Sequence, residues 1–287
     1  MGSLLRTGLL IALLTALFMA IGYWVAGIRG ASIALAFALA MNFLSYWNAD
    51  RIVLSLYGAR QVTDVQAPRL LEIVRRLAFQ AGLPVPRVYL IDSEQPNAFA
   101  TGRNPGHAAV VVTRGLLGDL SEHEIVGVLA HELSHIKRYE TLIMTISAAL
   151  AGAIGVLANF LLFFAGGRDN ERNHPLGILG GLLIMLLAPL AASLVQLAIS
   201  RTREFVADKG SAEITGQPLW LADALIHIHQ SASHIPNRGA EHNPATAHLF
   251  IVNPLGTTRL DGLFSTHPPV QERVARLRAM SMTQRSK

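Results

Sequence analysis

The chain has 287 residues, 51% of them hydrophobic and only 15% charged, with no cysteine and a net charge of +5. A soluble domain of this length carries about 25% charged residues, so the deficit argues against an ordinary cytosolic enzyme. The aliphatic content excludes disorder, and the missing cysteines exclude disulfides, a thiolate nucleophile and a cysteine-ligated metal.

In chain order, residues 9–28 carry no charge, and after Arg29 the run 30–49 carries none either. Residues 141–167 and 173–200 are also uncharged. Each run meets the length of about 20 residues needed to cross a hydrocarbon core. Tyr23, Trp24, Tyr46 and Trp47 lie near run ends, where interfacial aromatics concentrate. A signal peptide starting at Arg6 is the alternative for the first run, but the stretch is too long and a second follows directly. Buried core helices are the alternative for the later pair, but the remaining chain is too small to enclose them. The reading is two transmembrane hairpins, 1–50 (spans at about 9–28 and 30–49) and 141–200 (about 141–166 and 175–199), alternating with two water-facing parts, 51–140 and 201–287. Of 24 Lys and Arg, only Arg29, Arg168 and Arg172 fall in the outer loops. The positive-inside rule then places both termini and both water-facing parts in the cytoplasm. No aromatic-basic interleaving points to nucleic acid, and membrane lipid is the expected partner.

Within 51–140, Leu70, Leu71, Val74, Leu77 and Ala78 form an apolar stripe that predicts a helix over 68–81, stopped by Gly82 to Pro86. Residues 88–91, 98–101 and 108–113 read as short strands between turn residues. Ser121 with Glu124 is a capping box, opening a helix that carries Ile125, Val128, Leu129 and Leu133. Beyond the second hairpin, 201–214, 219–229 and 270–280 read as helices.

The strongest chemical signal is His131-Glu132-Leu133-Ser134-His135. On a helix, positions i and i+4 share a face, so both imidazoles reach one metal. Glu132 is turned by about 100° from His131, placed to hold a water rather than the ion. Zinc lowers the pKa of such a water to about 7, and a neighbouring carboxylate takes its proton as it attacks an amide. Alone, the motif also fits a helix with two surface histidines. A hydrolytic zinc site needs a third protein ligand and an open position. Without cysteine that ligand is a carboxylate or histidine, and Glu204 is the candidate. Asp208 follows at i+4 and can orient one histidine from behind. On spacing alone a solvated helix face is the simpler reading of that pair. The hairpin topology changes this, because it brings His135 and Glu204 to same-side ends of adjacent spans. His227 and His229 point about 200° apart and cannot share a metal, while His234, His242 and His248 read as non-ligands.

HELSH followed by EFVAD, with four spans, resembles the M48 metalloproteases over nearly the whole chain. Asn97-Ala98-Phe99-Ala100-Thr101-Gly102 resembles the family's edge strand beside the active site. Ala247-His248-Leu249-Phe250-Ile251, Ser265-Thr266-His267-Pro268-Pro269 and Glu272-Arg273 also match family segments. The resemblance implies a multi-pass α-helical membrane protein with an α+β, zincin-type (gluzincin-like) metalloprotease domain. It implies one Zn²⁺ per chain held by His131, His135 and Glu204, with Glu132 as catalytic base. It implies His267 and Arg273 near the developing oxyanion, and Asn97, Ala98, Phe99 and Ala100 along the substrate backbone. Polypeptides, damaged or misfolded membrane proteins among them, are the implied substrates, cut at the cytoplasmic face of a bacterial inner membrane. The family usually has Asp nine residues after the first histidine; here Glu140 stands there, and its extra methylene leaves its geometry open. An intramembrane protease is a rival, but 118–124 is polar and Lys137-Arg138 follows the motif, which favours a surface site. A membrane scaffold or transporter with a structural metal is the other rival; it predicts a closed four-ligand site, against which the unpaired Glu132 argues.

Overall fold

The computed structural model describes residues 2–148, 201–232, 234–242, 244–254 and 267–285. Most of the second predicted membrane hairpin, with its outer loop, lies outside the described residues.

The first predicted hairpin corresponds to α1 (Gly2–Leu56), a helix that leaves helical geometry at Ala26 and Gly27. Gly27 has φ 61° and ψ −146°, a combination that glycine alone adopts without strain. There the chain doubles back. Phe18 meets Phe37 edge to face at 6.0 Å, and Asn42 Nδ2 donates to Thr15 Oγ1 at 3.0 Å. Gly22 and Gly30 pack backbone to backbone: a Cβ on Gly30 would lie 2.0 Å from the Gly22 carbonyl oxygen. Small residues permit this close approach between apolar helices. The reversal falls at Ala26 and Gly27, two residues before Arg29, in the loop expected around that residue, where glycine supplies the backbone freedom. The stretch Ala26–Leu44 is the one among the described residues long and apolar enough to cross a membrane. Ile28, Ile33, Phe37, Leu39 and Phe43 point outward from it.

The part that follows α1 is built on a four-stranded sheet of order β1-β2-β4-β3. β1 (Arg60–Gln61) is antiparallel to β2 (Arg87–Ile91), which runs parallel to β4 (Ala108–Thr113). β3 (Ala98–Gly102) is antiparallel to β4 and forms the edge. The run AAVVVT of β4 is buried throughout, as a central strand covered on both faces requires. On one face, Val88, Val110 and Val112 pack against α2 (Pro68–Ala81) and α4 (Glu122–Lys137). On the other, Tyr89, Phe99 and Val111 meet Tyr57, Phe250 and Ile143. Between β4 and α4 lies α3 (Arg114–Asp119), capped by Thr113 Oγ1 accepting from Leu116 N at 3.1 Å. Its six residues are too few to show periodicity, and the sequence reading missed it.

After the break come α5 (Arg201–Thr215), α6 (Pro218–Ala232) and α7 (Val270–Arg285). α4 packs against α5 and α6 through small residues. A Cβ on Gly210 would fall 2.1 Å from Ser134 Oγ, and one on Gly127 would strike the backbone of Leu221. Ser211 Oγ donates to the Gly127 carbonyl at 2.8 Å. These contacts set how close α5 lies to the HELSH helix.

Candidate metal centre

Three segments build the site. α4 starts from the expected capping box, with Glu124 accepting from Ser121 N at 2.7 Å and Ser121 Oγ accepting from Glu124 N at 3.4 Å. Its residues from Ile125 to Ile136 are buried, so His131 and His135 project into the protein rather than into water. α5 presents Glu204 and Asp208 from its buried face. α7, with His267 just before it, closes the site from the third side.

His131 Nε2 and His135 Nε2 stand 3.1 Å apart, and Glu204 oxygens lie 3.6 Å from each. The other ring nitrogens face carboxylates. His131 Nδ1 lies 3.0 Å from Asp208 Oδ1, and His135 Nδ1 lies 2.9 Å from Glu140 Oε2. A neutral imidazole whose Nδ1 donates to its carboxylate carries a lone pair on Nε2, and a metal bound there takes the place of the proton that the ring otherwise holds. Two imidazole nitrogens and a carboxylate thus converge, with the Arg273 guanidinium close behind them, its Nη1 3.6 Å from Glu204 Oε2 and its Nη2 3.5 Å from His131 Nε2; Glu204 Oε2 is buried without a hydrogen-bond partner among the described residues. Such a set is stable around a cation. Tetrahedral bonds of about 2.1 Å put ligand atoms about 3.4 Å apart, and the observed spacings bracket that value. Among the described residues this is the only cluster of three such groups close enough to share a metal.

The charges are held from behind. Burial lowers the His131 pKa, but Asp208 and Glu204 outweigh it and push it up to about 9. Burial alone would raise the Glu204 carboxyl, yet His267, His131 and His135 hold it well below the usual range. Asp208 is likewise lowered against its burial, chiefly by Arg273. Glu132 is the exception: buried beside the ligands and with no hydrogen-bond partner among the described residues, its carboxyl is raised by desolvation.

Glu140, whose extra methylene left its geometry open, reaches His135 and also accepts from Arg138 Nε at 3.2 Å. Arg273 is 1% exposed, unlike the solvated charge its helical position suggests. Its Nε and Nη2 donate to Asp208 at 2.9 and 2.6 Å, and its Nη1 donates to the Ile251 carbonyl at 2.9 Å. The fork is therefore committed to the carboxylate behind His131. His267 Nδ1 stands 3.3 Å from Glu204 Oε2, and neither ring nitrogen has a hydrogen-bond partner among the described residues. Asn97 is wholly buried: its Nδ2 donates to Val252 O at 2.9 Å, and its Oδ1 accepts from Ala98 N at 3.1 Å. Thr113 N donates to Asn97 O, so Ala98, Ala100 and Gly102 turn their N–H and C=O groups away from β4. Ile251 N takes the Ala98 carbonyl, and Gly102 N donates to Thr145 Oγ1. Ala100 alone of the three keeps an unmatched outward pair among the described residues. Gln95, which no motif or spacing singles out, donates to the carbonyls of Ile235 and Pro254 at 2.7 and 3.0 Å and anchors the segment that carries Ile251.

Residues 64–281 match the peptidase family M48. The chain belongs to family M48. It is 61% identical over 287 residues, the full length of both chains, to a "Protease HtpX homolog" of Acidiphilium cryptum (strain JF-5). The crystal structure of S. mikatae Ste24p shares the fold with a TM-score of 0.52 at 20% identity, over 92% of this chain and 62% of that one. This M48 chain is thus a metallopeptidase, and the cluster of His131, His135 and Glu204 is where its metal fits.

Proposed function

We propose that the chain is a multi-pass membrane zinc endopeptidase, hydrolysing polypeptides at the cytoplasmic face of a bacterial inner membrane. Damaged or misfolded membrane proteins are the substrate class implied by its family. One observation carries the reading: beside a cluster of three converging acceptors stands Glu132, a buried carboxylate with a raised pKa and no hydrogen-bond partner among the described residues. Two imidazoles and one carboxylate, without sulfur, suit zinc and leave a coordination position open. Zinc bound there supplies Lewis acidity toward the scissile carbonyl and toward water. Glu132 takes the proton of the attacking water and passes it to the leaving amine. Asp208 and Glu140 keep His131 and His135 in the tautomer that offers Nε2 to the metal. His267, within the site, stabilises the negative charge developing on the carbonyl oxygen. A substrate in extended form adds to β3, the edge strand of the sheet, along Asn97 to Ala100.

The test is hydrolysis of an unfolded substrate such as casein by purified, zinc-loaded protein. Glu132→Gln is expected to lower turnover by about a thousandfold while zinc content stays at one per chain. Equal rates in the two proteins would sink the assignment of Glu132.

A further inference from the structure

We propose that the end of the N-terminal hairpin carries a binding site for the phosphate of an anionic lipid headgroup, formed by Arg103, stacked on Trp47, and Arg51, one helical turn further on. The proposal rests on the membrane-spanning reading above. The returning half of α1 exposes Phe43 and Leu44, and then Tyr46 and Trp47, 36% and 46% exposed. Apolar surface thus gives way to an aromatic pair, packed edge to face at 5.6 Å. That sequence of surfaces marks the border between hydrocarbon and headgroups. Arg103, from the turn after β3, lays its guanidinium over the Trp47 ring, 4.6 Å from the centroid. Its hydrogen bond to the protein is a long one, Nη1 to the Trp47 carbonyl at 3.4 Å. A guanidinium has five N–H donors, and Arg103, partly exposed, has no other hydrogen bond to a described residue.

Arg51 is exposed one helical turn beyond Trp47. Its neighbour Asp50 is taken by Arg87 at 2.7 Å, and neither Arg51 nor Arg103 has an ion-pair partner among the described residues. A guanidinium fixed over an aromatic ring is preorganised for bidentate phosphate. The adjoining exposed apolar helix selects the lipid source, because a soluble phosphate gains nothing from it. The site also ties the β3 edge to the bilayer, since Arg103 directly follows that strand.

The experiment uses the full chain with Trp24→Phe and Trp220→Phe, so that Trp47 alone reports. It is reconstituted in phosphatidylcholine nanodiscs containing increasing fractions of phosphatidylglycerol. A saturable change in Trp47 emission is expected, with its midpoint raised about fivefold by Arg103→Gln and by Arg51→Gln, and only partly restored by Arg103→Lys, which keeps the charge and loses the fork. An emission indifferent to phosphatidylglycerol, or unmoved by either glutamine variant, would overturn the proposal. So would an equal response to glycerol phosphate added to phosphatidylcholine discs. Quenching of Trp47 by brominated phosphatidylcholine reports insertion separately; its absence would overturn the spanning reading itself. Because no arm reads hydrolysis, failure of the peptidase mechanism would leave these outcomes distinct.

Discussion

Each imidazole in the HELSH motif is fixed from behind by an acid on a different segment, Asp208 from α5 and Glu140 from the turn after α4. The Asp208 side is reinforced again by Arg273, which joins that carboxylate to the Ile251 carbonyl, and Ile251 N is bonded to Ala98 at the β3 edge. A continuous run of hydrogen bonds therefore links the strand edge to His131. Arg273 acts here as a positioning residue, its donors already occupied by protein acceptors. Arg273→Lys keeps the charge and loses the planar fork, so metal affinity is expected to fall about tenfold to a hundredfold. Competition against a chromophoric chelator measures this without any substrate. Unchanged affinity with slower turnover would instead return Arg273 to the oxyanion.

α4 illustrates what local sequence controls at the scale of an element. Its start was legible because a capping box is a contact between residues three apart. Its end was not. Glu140 N bonds to His135 O and Tyr139 N to Ile136 O, a Schellman closure with Tyr139 at φ 57° where glycine is usual. That left-handed residue turns the chain so that Glu140 comes back onto His135. Replacing Tyr139 by glycine relieves the left-handed strain and is expected to stabilise the fold by about 1 kcal/mol, raising the thermal midpoint by about 2–4 °C. A lowered midpoint would show that the tyrosine ring contributes more than its backbone costs. Strands β2, β3 and β4 fell within one residue of their expected bounds, because short apolar runs between turn residues specify them. The two-residue β1 and the six-residue α3 carry no comparable pattern. The same limit applies at Arg273, Asn97 and Gln95. Each is a polar residue that sequence reading assigns to the surface, a turn or nothing at all, and each is buried because backbone carbonyls distant in the chain receive it.

For the whole molecule, the N-terminal hairpin and the sheet are joined by Asp50 with Arg87 and by Trp47 with Arg103, while Thr145, from the segment after α4, bonds Thr101 of β3 at 3.0 Å. The spanning reading places the catalytic part on the cytoplasmic side, and a fluorescent reporter fused after Lys287 is expected to light up there. An alkaline phosphatase fusion active at the same position would reverse the topology. Composition and periodicity by themselves determined that this chain carries four uncharged apolar runs of spanning length, where its main helices begin, and that two histidines share a helical face. Those are properties of residues within a few positions of one another. Only the tertiary structure decided that Glu204 closes on both histidines, that Glu140 is long enough to reach His135, and that Arg273 serves Asp208. Those facts depend on how closely α4 and α5 approach, and that distance is set by Gly127, Gly210 and Ser211 meeting across an interface that neither helix specifies alone.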